Sequence, residues 1–255
     1  MPDTVSASWA QKLAWWAADY LYAGRRQVAI LQPPWTFGRR RRTPAAWRAG
    51  RDDLPEVVLV PGVYEHWTFL RPLGDALAAA GHRVRVVHGL GVNRRPIPAT
   101  AQYLGTQLAA LPVPEAGRVL VAHSKGGLVG KNLLIDSGAA TEDDDTDAAS
   151  RPLGLLGLVT VCTPFHGVRL ASLFADPSIR AFRPQDETIV WLANETSVNA
   201  RIVSVFGAFD PHIPEGSALD GATNVLVPTS GHFRVLGAAS THQSVIEGVE
   251  SLTHR

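Results

Sequence analysis

From Glu56 onward the chain alternates short apolar, β-branched runs with stretches of helical spacing, and this alternation restricts the fold more than any other feature. The runs Val57–Val60, Val84–Val87, Val119–Ala122, Leu155–Cys162, Ile202–Phe206 and Val225–Val227 read as strands. Between them Leu70–Ala80, Thr100–Ala110, Gly127–Ser137 and Ser240–Leu252 read as helices. The strands are continuously apolar and do not alternate with polar residues, which is the pattern of parallel strands buried on both faces. Strands separated by helices form βαβ units, so the expected class is α/β, with a mostly parallel central sheet and helices on both faces.

Composition narrows the function. The 255 residues are 45% apolar and 18% charged, enough for a sizeable core, and the net charge of +1 lacks the basic excess of a nucleic-acid-binding surface. Cys162 is the only cysteine, so no intrachain disulfide forms and secretion gains no support. No apolar run reaches the roughly 18 residues that span a membrane. Leu13–Ala18 is short and flanked by Lys12 and Asp19, unlike a signal peptide. A cytoplasmic location is the expectation. Thr141–Asp147 reads as a solvated acidic loop. The stretch 165–199 is too long for a simple connector; Pro177 and Pro184 break it, and it carries Leu170, Leu173, Phe174, Ile179, Phe182, Val190, Trp191 and Leu192.

One strand stops at a serine. Val119–Ala122 runs into His123, Ser124 and Lys125, followed by Gly126 and Gly127. Ligands bind at the carboxyl ends of strands in open parallel sheets. A serine in a tight strand-to-helix turn is held in a strained conformation above the sheet, and small residues at −2 and +2, here Ala122 and Gly126, avoid clashes. The start of the following helix offers unpaired N–H groups. The same position also suits an N-cap, so the local reading leaves nucleophile and cap both open.

Ala122-His-Ser-Lys-Gly126 resembles the nucleophile elbow, G-x-S-x-G, of α/β-hydrolases, in the A-x-S-x-G form of lipase-like esterases. The resemblance covers roughly residues 56–250. It implies one oxyanion donor at the N–H of Lys125, with the Lys125 side chain incidental. The loop Leu59–Trp67 is similar to the family's H-G-x-x loop, with Pro61 in place of the histidine, and implies a second donor at the N–H of Val63. Asp210, just past the strand Ile202–Phe206, stands where the family places its triad carboxylate; Asp220, Glu195 and Asp186 are rivals. The family's order of serine, acid, histidine leaves His212, His232, His242 and His254 as bases. His232, in Gly231-His-Phe-Arg-Val-Leu236, is similar to the lipase pattern G-H-x-x-L-L, whereas His242 falls on the last helix. His123 adjoins the serine and points elsewhere.

Thr163-Pro-Phe-His-Gly167 resembles the T-P-H-x-G stretch of lipases, with Phe165 where the family has histidine and His166 one place later. The resemblance implies that Phe165 and His166 line the site and that residues 165–199 form a small cap. His166 reads equally as a structural histidine. Tyr64, His66 and Trp67 are candidates for the same cleft or for core packing. The expected activity is carboxylic-ester hydrolysis on a small-molecule or lipid ester, without cofactor or metal. Amide, thioester or lactone hydrolysis, acyl transfer, and a non-catalytic membrane-docking role are the alternatives.

Residues 1–50 form a separate unit. Trp9, Leu13, Trp16 and Tyr20 share one helical face, followed by a Pro- and Arg-rich linker with Pro33-Pro34 and Arg39–Arg42. That face either packs on the main domain or, with Lys12 and Arg25-Arg26, rests on an anionic membrane.

Overall fold

The structure, a computed structural model, describes residues 8–28, 43–138 and 153–253. The acidic stretch Thr141–Asp147, the prolines and arginines of the linker, and His254 lie outside them. Six strands form one parallel sheet in the order β2-β1-β3-β4-β5-β6. They are β1 (Glu56–Val60), β2 (Val84–Val86), β3 (Arg118–His123), β4 (Leu155–Val161), β5 (Ile202–Gly207) and β6 (Thr223–Val227). The helices are α1 (Trp9–Val28), α2 (Arg71–Ala79), α3 (Ile97–Ala109), α4 (Lys125–Gly138), α5 (Pro177–Arg180), α6 (Glu187–Asn194) and α7 (Ala239–Thr253).

Every expected strand and every expected helix after residue 56 is present, with ends within three residues. Burial explains why the strands read without alternation. All residues of β1 and β3 are buried, while the edge strand β6 is mostly exposed. Both faces of the sheet are covered. Gly130 of α4 lies against Leu120 and Leu158, and Gly248 of α7 lies against Val159 and Val203. Leu158 and Val159 are consecutive on β4 and so point to opposite faces. With α4 goes α3, and with α7 goes α2. No described helix is long and apolar enough to cross a membrane.

The N-terminal helix packs on the main domain, though the stripe of Trp9, Leu13, Trp16 and Tyr20 is not its most buried face: these residues are 79%, 50%, 46% and 47% exposed. The helix docks by the adjacent face, through Trp15, Asp19 and Tyr22. Asp19, between Trp15 and Tyr22 on that face, is fully buried.

Candidate active site

The loops that follow β1, β3, β4, β5 and β6 gather at the carboxyl end of the sheet, as parallel pairing requires. At the centre, Ser124 occupies the turn between β3 and α4 with φ +52°, a left-handed conformation that costs a non-glycine residue energy and persists only when its surroundings enforce it. Its N–H donates to the Val161 carbonyl (2.9 Å) and its carbonyl accepts from Thr163 Oγ1 (3.0 Å). The two following glycines are sterically required. A Cβ at Gly126 would lie 2.2 Å from the Val60 carbonyl oxygen, and one at Gly127 would lie 2.0 Å from Thr163 Oγ1. The elbow is thus wedged between the ends of β1 and β4. Lys125 opens α4, where the first N–H groups of a helix have no intrahelical acceptor.

Asp210 and His232 meet by a 2.7 Å contact between Oδ2 and Nδ1. The other carboxylate oxygen accepts the N–H groups of His212 (2.8 Å) and Ile213 (3.1 Å), which fixes its orientation. Burial alone would raise the Asp210 carboxyl, but the charge of His232 and the hydrogen bond to it, with the N–H of His212, bring it down to about 2. Burial opposes the charged form of His232, yet the charge and hydrogen bond of Asp210 outweigh it and raise the imidazole above its ordinary value. With Nδ1–H donating to Asp210, Nε2 is the basic nitrogen of the neutral ring. His232 and Ser124 border one cavity of about 410 Å³.

Behind this pair lies a second carboxylate–imidazole pair, which the sequence reading did not single out. Glu65 is buried; its Oε1 is 2.7 Å from His123 Nδ1 and its Oε2 accepts the N–H of Gly62 (2.7 Å). His123 Nε2–H donates to the carbonyl of His232 (2.9 Å). One chain of contacts thus joins the loop after β1, the elbow and the backbone of His232. A Cβ at Gly62 would stand 2.9 Å from the Glu65 carboxyl carbon, so a side chain there would displace the carboxylate. The same loop is held from the other side by Asn93, whose Nδ2 donates to the Pro61 carbonyl (2.7 Å). The Lys125 side chain is structural: it is buried, and its Nζ donates to the Asn93 carbonyl (2.7 Å) and to that of Arg95. Burial lowers the Lys125 amine to about 8.

The cavity wall differs in part from the sequence expectation. Val63 and Tyr64 border it, and the Tyr64 hydroxyl donates to Asp176, tying the loop after β1 to the start of α5. His66 and Trp67 border a different cavity, of about 560 Å³, with His88 and Tyr103. The chain turns there into the 3-10 helix Trp67–Leu70, all of it buried, with Trp67 edge-on to Trp47. Phe165 is buried below Lys131 rather than on the cavity wall, and His166 is exposed. Pro164, Val168 and Ala171 stand in their place. Leu170, Phe174, Ile179 and Phe182 complete that side, while Ile189 and Leu192 of α6 are buried. The opposite wall is Trp16 and Tyr20 of α1, with His212 and Phe233. His242 is accounted for structurally, its Nε2 meeting the Leu236 carbonyl at 2.8 Å.

Cys162 Sγ lies with Asp210 and His232 in a cluster whose ligand atoms are within 4.8 Å of one another. Burial, and then the charge of Asp210, push its thiol well above the ordinary value, so it stays protonated, and His232 Nδ1 is committed to Asp210. That donor set does not suit a metal, which needs a thiolate and a free imidazole nitrogen.

No protein-family model matches the sequence, and no curated protein matches it. Solved structures do. A metagenomic carboxyl esterase superposes with a TM-score of 0.54 at 16% identity, covering 85% of this chain and 78% of its own. Lipase B from Aspergillus fumigatus gives 0.52 at 18% identity, over 80% of this chain and 51% of the lipase. Phospholipase PlaB from Legionella pneumophila matches over 60% of this chain at 12% identity, but with a TM-score of only 0.46. The chain spans 39% of that phospholipase's length. At these identities the likeness is one of fold.

Proposed function

We propose that this chain, an α/β-hydrolase in fold, is a serine hydrolase that cleaves carboxylic esters through an acyl-enzyme. The reading rests above all on one observation: Ser124, held at φ +52°, and His232, paired with Asp210 at 2.7 Å, border the same cavity. Ser124 Oγ attacks the ester carbonyl while His232 Nε2 takes its proton. The resulting oxyanion is held by the N–H groups of Val63 and Lys125. The imidazolium, stabilised by Asp210, returns the proton to the departing alcohol as the ester C–O bond breaks. Water then adds to the acyl-enzyme by the same route, releasing the acid and restoring the serine. Lys125 Nζ takes no part, being spent on two carbonyls.

The cavity supports an acyl group that is apolar and of short to medium length. Val168, Leu170, Phe174, Ile179 and Phe182 offer it no charge. Residues 165–199 act as the cap over this site. Trp16, Tyr20, Leu170 and Phe174 border the cavity and are partly exposed, Trp9 and Leu13 continue the α1 stripe and Leu173 neighbours Phe174, and we read these exposed residues as the surface that meets a lipid aggregate or a membrane. Liposome flotation tests that part: binding unchanged in a Leu13→Ser, Leu173→Ser double variant removes it.

The deciding experiment is Ser124→Ala against p-nitrophenyl esters of increasing chain length, with fluorophosphonate labelling alongside. The expected result is turnover and labelling in the wild type and neither in the variant. Unchanged turnover in Ser124→Ala refutes the assignment, and a wild type that is neither active nor labelled supports the non-catalytic docking reading. Amide, thioester and lactone substrates on the same panel separate the other reactions open to this triad.

A further inference from the structure

The N-terminal helix contacts the chain neighbours of both members of the acid–base pair. Trp15 packs on Phe209 at 5.7 Å and Tyr20 on His212 at 5.3 Å between ring centres, and these residues flank Asp210. On the other side Asp19 Oδ1 accepts the N–H groups of Phe233 and Arg234, each at 2.8 Å, directly after His232. Gly231, directly before it, has φ +118°, and a Cβ there would stand 2.6 Å from Asp19 Oδ1, so a side chain would push the carboxylate aside. The short helix Arg234–Gly237 has no capping side chain of its own, so a residue more than 200 positions away caps it.

The peptide unit between His232 and Phe233 is therefore held at both ends. Its carbonyl accepts from His123 Nε2 at 2.9 Å, and its N–H donates to Asp19. A peptide plane fixed at both polar groups cannot rotate, and its orientation sets where the His232 side chain leaves the backbone. Asp19 stands on a helix whose outer face is exposed and whose Trp16 and Tyr20 border the cavity of Ser124.

We propose that α1 is a working part of the catalytic site, with Asp19 as a positioning residue that holds the peptide unit of His232 and so keeps Nε2 in line with Ser124. This rests on the serine-hydrolase reading above. Docking of α1 completes the site from outside the α/β domain. With α1 lifted away, the sheet, the elbow and the Asp210–His232 contact keep their own hydrogen bonds, the residues flanking Asp210 lose two aromatic contacts, and the His232 peptide unit loses one of its two clamps.

The test uses the full chain as wild type, Asp19→Ala, Asp19→Asn and Ser124→Ala. The readouts are kcat and KM on p-nitrophenyl butyrate, circular dichroism, and the downfield imidazole N–H resonance of His232. Asparagine keeps an oxygen able to accept both N–H groups; alanine keeps none. In Asp19→Ala kcat should fall about 10²-fold, the scale of a slight misplacement of a catalytic group, with KM changed by less than about threefold. Its His232 resonance should broaden or vanish. Asp19→Asn should recover kcat to within about tenfold of wild type and restore the resonance. Asp19→Ala with wild-type kcat and an unchanged resonance overturns the proposal. So do equal losses in Asp19→Ala and Asp19→Asn, and so does unfolding of Asp19→Ala, which would make the residue structural. Failure of the serine-hydrolase reading looks different: the wild type would neither turn over nor label, while the resonance would still report on Asp19.

Discussion

His232 is supported from two sides of the molecule that are built very differently. On the sheet side the supports are Asp210 at the ring and the Glu65–His123 pair at the carbonyl, from the last residue of β3 and the loops that follow β1 and β5. On the other side the support is Asp19, on a helix that exposes much of its apolar surface. The sheet-side groups cannot be removed without leaving charges and donors in a dry interior. The helix-side group is removed simply by undocking a helix, after which water reaches the two freed N–H groups. The difference separates stability from function. Loss of a sheet-side support should cost both, whereas loss of the helix-side support should cost catalysis with little stability.

The strongest challenge to this contrast is Asp210→Asn. It keeps the shape of the contact but removes the charge that stabilises the imidazolium and fixes the tautomer. Loss of that function in a Ser-His-Asp triad costs about 10⁴ in kcat. The pH profile gives the sign. In the proposed mechanism His232 must be neutral to accept the proton of Ser124, so kcat/KM should fall as pH drops through its pKa. The groups facing it are Asp210, Glu65, Asp19, His123 and His212; the charge of Asp210, then its hydrogen bond, raise the imidazole against the burial that lowers it. In the wild type the acid limb should therefore lie above the ordinary imidazole value of about 6.5. In Asp210→Asn burial prevails and the limb should move to lower pH. A limb that does not move refutes the Asp210 assignment.

The parts of this site that could be read from the sequence are those whose signal is local. Ser124, Asp210 and His232 each sit a few residues past an apolar run, and the elbow announces itself by glycines that only a crowded turn requires. The supports have no such signal. Glu65 and His123 are 58 residues apart, His123 and the His232 carbonyl 109, and Asp19 and Phe233 214. Each looks by itself like an ordinary polar residue. The N-terminal helix shows the limit of periodicity most clearly. Its apolar stripe marked a face correctly, but the packed face is the neighbouring one, centred on an aspartate, because two backbone N–H groups on the domain needed an acceptor. For His66 and Trp67 the sequence leaves cleft and core both open, and a single 3-10 turn decides it by taking Trp67 into the core and both residues to the border of another cavity.

Glu65→Ala is the next challenge in size. It removes the acceptor of the Gly62 N–H and the partner of His123, and it loosens the loop that carries Val63. Loss of one oxyanion donor costs about 10²–10³ in rate, and kcat should fall on that scale. Stability should fall with it, because a buried pair broken on one side costs about 3–5 kcal/mol, which for a chain of this size corresponds to a Tm lower by roughly 10 °C. Thermal denaturation and ester turnover measured on the same preparation decide the matter. A Glu65→Ala protein with wild-type Tm and reduced kcat would erase the distinction between the two sides.

The smallest effect belongs to the helix side, at Trp16 and Tyr20. Both border the cavity, and both are about half exposed, so truncating either removes apolar wall without opening a void in the core. The loss to a bound acyl chain is that of a few methylene contacts, and about 1–3 kcal/mol is the ceiling for such discrimination. Trp16→Ala and Tyr20→Ala should therefore lower kcat/KM for medium-chain p-nitrophenyl esters by about tenfold, leave the acetyl ester nearly unchanged, and shift Tm little. The ratio between chain lengths is the quantity to follow, since a change in His232 alignment would lower every ester alike. A uniform loss across the series would mean that the aromatic residues of α1 act through Asp19 and the His232 loop rather than as a wall of the cavity. A selective loss would make α1 both a clamp on the base and a surface that measures the acyl chain.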